Sequence, residues 1–176
     1  MIFDNYELRL LQRDDKKCFF QLIKNNIGRL EDFVVGIVAQ TKTEDDVENF
    51  INNSIIKILN KSYYPYLVID LKTKKPIGFV DIKNIDWNIP KAELGFFIDE
   101  NYTGKGISTK AIIHLSEYLF DELKFNKLLL RIHQSNKSSI GVAEKCGFEF
   151  EGIIKNDYKT TKGKIVDFRY YGKVKS

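Results

Sequence analysis

The spacing of apolar residues changes along the chain, and each change marks an element. Glu7 to Leu11 alternates polar and apolar side chains and predicts an opening strand. Asp14 and Asp15 then stand where a helix carrying Cys18, Phe19, Leu22 and Ile23 would be capped. Periodicity is weak from Gly28 to Gln40. Thr43-Glu44-Asp45-Asp46 next predicts the capped, acidic start of a helix that buries Val47, Phe50, Ile51, Ile55, Ile58 and Leu59. Tyr64 to Leu71 and Pro76 to Ile82 read as a hairpin around the polar loop Lys72 to Lys75. A connection from Asn84 to Pro90 leads to a strand from Ala92 to Ile98.

The period then switches. Ile107, Ala111, Ile112, Leu115, Leu119 and Phe120 recur at helical spacing directly after Gly104-Lys105-Gly106. Leu128 to Ile132 is a short apolar run suited to a strand covered on both faces. Asn136 to Cys146 follows as a helix with Ile140, Val142 and Ala143 inward, ended by Gly147. Phe148 to Ile154 and Ile165 to Val174 close the chain as strands. No repeat or linker interrupts this order, so the reading is one mixed α/β layer structure forming a single domain over residues 1–176.

Composition narrows the function classes. A chain of 176 residues, 43% hydrophobic, suits one core. Its 28 basic and 24 acidic residues give a net charge of +4 without a basic stripe, so no nucleic-acid partner is expected. No apolar run approaches a membrane span and no leader pattern opens the chain, so the expectation is a cytoplasmic protein with no membrane partner. Cys18 and Cys146 are read as separate, reduced, buried thiols. His114 and His133 lack metal-ligand spacing, and no metal is expected.

The strand ending at Ile98, the turn with two glycines and the helix beginning near Gly106 point backbone N–H groups and a helix dipole into one space, which suits a phosphate. Gly104 and Gly106 let backbone approach the anion, Lys105 could add charge, and Ser108 or Thr109 a hydroxyl. A dinucleotide fingerprint would need glycine at Thr109, and a P-loop would need Lys-Ser or Lys-Thr where Ile107-Ser108 stands. Neither fits. A glycine turn without a ligand remains open on these residues alone.

Two longer segments are more specific. Asn101-x-x-Gly104-x-Gly106 resembles the pyrophosphate loop Q/R-x-x-G-x-G/A of the GNAT acetyltransferase superfamily, with Asn101 in place of Gln or Arg. Asn136 to Gly152 resembles the N-x-x-S-x-x-V-A-x-x-x-G-F-x-x-E-G segment of its ribosomal-protein alanine and serine N-acetyltransferase branch. Leu8 to Leu11 and Ala92 to Ile98 are similar to that branch as well. The resemblance implies a mostly antiparallel central sheet with a splayed strand pair and flanking helices, and acetyl-CoA as cosubstrate without a metal. It implies that Phe96, Phe97 and Ile98 contact the pantetheine arm, and that Tyr102, Thr103, Gly104, Lys105, Gly106, Ile107 and Ser108 meet the pyrophosphate. Asn136 would bond the arm from the other side, with Ser139 near the thioester sulfur.

Acetyl transfer requires a neutral amine held against a thioester carbonyl, a donor for the oxyanion and a proton for the thiolate. Glu93 is a candidate base, or else a surface carboxylate on an amphipathic strand. Asp157 is a second candidate with Tyr158 beside it, and Ser139 could return the proton or simply bond the helix start. The tyrosine acid of many superfamily members falls at Ala143 here, which disfavours that route. Arg29, Phe33 and Trp87 are candidate acceptor contacts. The expected reaction is acetylation of a primary amine, with a protein N-terminal α-amine ahead of a polyamine or aminoglycoside. A regulatory module that binds acetyl-CoA without turnover is the other reading, and a homodimer is allowed.

Overall fold

A computed structural model of the protein describes residues 1–175. Strands β1 (Ile2–Phe3) and β2 (Tyr6–Leu10) open the chain. Three helices follow, α1 (Lys16–Leu30), α2 (Val35–Ala39) and α3 (Glu44–Leu59), then strands β3 (Tyr64–Asp70), β4 (Lys75–Asp86) and β5 (Lys91–Ile98). Helix α4 (Ile107–Asp121), strand β6 (Lys127–His133), helix α5 (Lys137–Lys145) and strands β7 (Glu149–Lys159) and β8 (Ile165–Val174) complete it. The strands form one eight-stranded sheet in the order β1-β2-β3-β4-β5-β6-β8-β7. Every neighbouring pair is antiparallel except β5 with β6. This is the mixed, mostly antiparallel architecture expected from the sequence.

Each face of the sheet is covered by helices because the strand residues alternate between two apolar sets. Leu94, Leu128, Leu130 and Tyr171 pack with Ile112, Leu115 and Leu119 of α4 and with Ile140 and Ala143 of α5. On the other face, Leu67, Phe79 and Phe97 pack with Phe19 of α1 and with Val47, Phe50 and Ile51 of α3. Thr43 caps α3 as its sequence indicated: its hydroxyl accepts from the Asp46 amide at 3.1 Å, and the Asp46 carboxylate accepts from the Thr43 amide at 3.0 Å.

The structure corrects several expectations. Asp15 does not cap α1 with its side chain; its carboxylate pairs with Arg9 at 2.8 Å and accepts from the Gln12 amide at 2.8 Å, closing a short 3-10 turn before the helix. The weakly periodic stretch continues α1 to Leu30 and adds the short α2. Leu59 is 77% exposed, because it falls to the side of the stripe Val47, Phe50, Ile51 and Ser54 that α3 buries. In β6 only Leu128, Leu130 and Ile132 are buried, since the other face opens on a cleft. Cys146 is buried and Cys18 half-buried, and both are free thiols. Among the described residues no helix is long and apolar enough to cross a membrane.

Ile112 is fully enclosed between α4 and the sheet. Ile112→Ala should therefore cost about 2–5 kcal/mol of unfolding free energy, whereas Leu59→Ala should stay within about 0.5 kcal/mol. Urea unfolding followed by circular dichroism measures both.

Candidate functional site

Strands β5 and β6 are paired from Lys91↔Lys127 to Leu94↔Leu130 and then part. Beyond that point the only strand paired with Gly95 to Ile98 is β4, and the only one paired with Arg131 to His133 is β8, among the described residues. Two facing strand edges are left with unpaired backbone groups, and a cleft opens from each side of the wedge. The first, of about 460 Å³, lies among Phe96 to Ile98, the turn after β5 and the N-terminal ends of α4 and α5. The second, of about 580 Å³, lies over the cleft face of β4, β5 and β6. They share walls at Phe33, Val34, Phe96, Asn136 and Ser139.

Helix α1 fixes the end of β5. The buried Asn26 amide donates to Asp99 at 3.0 Å while its oxygen accepts from the Glu100 amide at 3.0 Å. Arg29 donates to the Ile98 carbonyl. Burial alone would push the Asp99 carboxyl up, but the bonds from Asn26 and Asn101 outweigh it and hold Asp99 below the ordinary carboxylate value. The turn that follows puts Gly104 at φ +74° and Gly106 at φ +73°, left-handed angles that favour glycine. A Cβ on either would point into open space.

The first bond of α4 runs from the Lys110 amide to the Gly106 carbonyl. The backbone amides from Gly104 to Thr109 consequently donate to nothing among the described residues. The α5 terminus adds a second dipole end, where the Asn136 side-chain oxygen accepts from the Ser139 amide at 3.1 Å. Unspent amides at the α4 N-terminus, with the dipole end of α5 beside them, make a receptor for an anion of diphosphate size.

Not every residue expected at this cleft faces it. Tyr102, Thr103, Gly104, Gly106, Ile107 and Ser108 line it, as do Phe96, Phe97, Ile98 and Asn136. Lys105 is not part of the lining: its ammonium donates to the Asn101 carbonyl at 2.8 Å and lies 4.7 Å from the Tyr102 ring centre. The Asn101 side chain likewise turns back to Asp99 at 3.0 Å. Arg29, expected on the acceptor side, lines this first cleft.

The second cleft holds a network of charges contributed by separate strands. Glu93, 6% exposed, accepts from Asn84 at 2.8 Å. Its Oε2 also lies 3.1 Å from Arg131 Nε, an ion pair lacking the alignment of a hydrogen bond. Arg131 continues to Asp157 at 3.2 Å, which accepts from the Tyr170 hydroxyl at 3.0 Å. Lys83 stands between Asp81 at 3.5 Å and Glu93 at 3.7 Å, and Asp81 accepts from Tyr63 at 3.0 Å. Burial pushes the Tyr63 hydroxyl far up, and the charge of Asp81 adds to it, so this tyrosine stays protonated.

Of the candidate catalytic groups, Glu93 and Ser139 line the second cleft and Asp157 lines neither, standing behind Arg131. The Ser139 hydroxyl faces both clefts with no hydrogen bond among the described residues, while its amide supplies the helix-start bond. Tyr158 also lines the second cleft, where its hydroxyl accepts from the Val35 amide at 2.8 Å and its ring stacks on Phe168. Phe33 lies between the clefts. Trp87 belongs to neither: its indole donates to the Lys61 carbonyl at 2.8 Å and its ring packs on Phe125. Burial pushes the Cys146 thiol up to about 11, which removes it as a nucleophile at neutral pH. Among the described residues no group of three or more His, Cys, Asp or Glu side chains is arranged to hold a metal.

Asp81, Lys83 and Arg131 were not singled out from sequence. Their signal was present: Asp81 interrupts the apolar run Gly78 to Ile82, and Arg131 interrupts Leu128 to Ile132.

Comparison with known proteins agrees with this geometry. Residues 6–149 match the Acetyltransferase (GNAT) domain family. A Bacillus subtilis protein named as a ribosomal N-acetyltransferase, YdaF, is 29% identical over 98% of this chain and 92% of its own. The N-acetyltransferase p20 of Bacillus licheniformis is 28% identical over 62% of this chain, and the match spans only 61% of that protein. The spermidine N(1)-acetyltransferase of Escherichia coli K12 is 27% identical over 86% of this chain and 77% of its own. Among solved structures, the microcin C7 self-immunity acetyltransferase MccE in complex with acetyl-CoA and AMP superposes with a TM-score of 0.90, at 25% identity, over 98% of this chain and 94% of that one.

The left-handed backbone at Gly104 gives a direct test of the amide cradle. A branched side chain there costs about 1–2 kcal/mol in that conformation, and relaxing it turns the amides away from the anion. Gly104→Val should weaken coenzyme A binding about tenfold or more with helix content unchanged. Calorimetry and circular dichroism read the two quantities.

Proposed function

The chain belongs to the acetyltransferase (GNAT) family, and from that premise we propose that the acetyl group it takes from acetyl-CoA goes to the α-amine of a protein N-terminus. The observation that carries this reading is the shared wall of two clefts, one lined by unspent amides and the other by mutually neutralising charges.

Acetyl-CoA supplies an activated acetyl carbon and a thiolate leaving group. The free amides of Gly104 to Thr109 would hold its diphosphate with Tyr102 and Thr103 beside it, while the strand edge at Phe96 to Ile98 and the Asn136 side-chain NH₂ would hold the pantetheine arm. The Asn136 oxygen already accepts as a helix cap, which turns its free NH₂ outward as the donor. Ser139 brings an uncommitted hydroxyl to the junction, placed to return a proton to the thiolate.

The amine enters from the second cleft and attacks directly. Glu93 faces that cleft, but one of its oxygens is taken by Asn84 and Arg131. Its contribution as a base runs through Oε1 and water. Asp157 acts only by holding Arg131. Such a site suits an α-amine, whose pKa near ~8 leaves part of it neutral at physiological pH, better than an alkylamine near ~10.4.

The cleft's charge points the same way. Asp81 and Glu93 are answered by Lys57, Lys83 and Arg131 in the same lining, which leaves no surplus negative charge for a polycation. Thiol release with a panel of amines tests the reading. Peptides with a free α-amine should exceed spermidine in kcat/KM by about tenfold or more, a difference of one uncompensated charge contact; spermidine outrunning the peptides would sink it.

A further inference from the structure

Lys83 hangs over the point where the strands part, held between two carboxylates. It lies opposite Glu93 in the β4–β5 ladder, and Asp81 lies opposite Gly95. Both carboxylates stand at salt-bridge distance, 3.5 and 3.7 Å, so two partners face an ammonium with three N–H donors. A Cβ on Gly95 would meet this Nζ at 2.7 Å and Asp81 Oδ1 at 2.3 Å. The missing side chain of Gly95 is therefore what lets the ammonium reach the wedge, one residue before Phe96, which walls both clefts.

The side chain is 34% exposed, and its residue lines the second cleft. Burial works against the charge, but Asp81 and Glu93 outweigh it and raise the ammonium above the ordinary lysine value. At neutral pH Lys83 is a charged donor and not a base.

We propose that Lys83 binds the acetyl acceptor by donating to the carbonyl oxygen of the residue whose α-amine is acetylated, and thereby selects aminoacyl amines over alkyl polyamines. This rests on the N-terminal reading above. In an aminoacyl group the carbonyl sits on the carbon next to the amine-bearing carbon, so an amine at the wedge brings that oxygen toward Lys83. A polyamine offers only methylenes and further ammonium groups there. The fixed positive charge also disfavours the ammonium form of any incoming amine, a smaller burden for an α-amine near ~8 than for an alkylamine near ~10.4.

The test compares kcat/KM for a peptide with a free α-amine, a simple primary alkylamine and spermidine in the wild type, Lys83→Met and Lys83→Gln. Lys83→Met should lower the peptide value about tenfold or more, as expected for loss of a charged donor, mostly through KM. The alkylamine should lose much less. Lys83→Gln keeps an N–H donor without the charge and should give an intermediate ratio, which decides the matter if Lys83→Met does not fold. Equal loss on peptide and alkylamine, or a wild-type ratio in the variants, would overturn the assignment. A wild type that prefers spermidine would instead remove the N-terminal reading itself.

Discussion

Strands β5 and β6 run bonded to Leu94 and Leu130 and then separate, and both clefts exist because of that separation. A sheet interior does not leave backbone groups unpaired without compensation. Several local arrangements hold the gap open here. Arg29 and Asn26 of α1 tie down Ile98 and the residues after it, and α4 and α5 begin on the same side of the gap. On the other side Arg131 and Lys83 bring charge to the faces of the parted strands, each matched by a carboxylate.

Buried charges of this kind are a weak source of stability, because desolvation offsets much of their attraction. Their value at this site is positional. Glu93, Arg131 and Asp157 form a chain that fixes one side of the second cleft, and Gly95 leaves room in which Asp81 and Lys83 reach it. The first cleft works oppositely, offering unspent N–H groups and helix dipoles, with Arg29, Lys137 and Lys145 as its charged lining residues. One side of the wedge suits an anion, and the proposal above brings the amine to the other.

Elements with a strong period were legible in the sequence: the helix after Gly106, the capped helix after Thr43 and the strand before the glycine turn all appear as read. The glycine turn was legible as an anion site because left-handed backbone demands that residue type. The charge network was not, since its members come from β4, β5, β6 and β7 and only the sheet register brings them together. Trp87 misled because an aromatic in a polar connection suggests a ligand, whereas here it packs on Phe125. Leu59 is apolar, but it lies to the side of the stripe its helix buries.

Direct transfer across a shared wall requires both substrates to be present at once, and among the described residues no base is bonded to the Ser139 hydroxyl on that wall to make it an acetyl carrier. Initial velocities measured while acetyl-CoA and a peptide acceptor are varied against each other test this most directly. Double-reciprocal lines that intersect are the predicted result; parallel lines, with an acetylated enzyme isolated in the absence of acceptor, would contradict it.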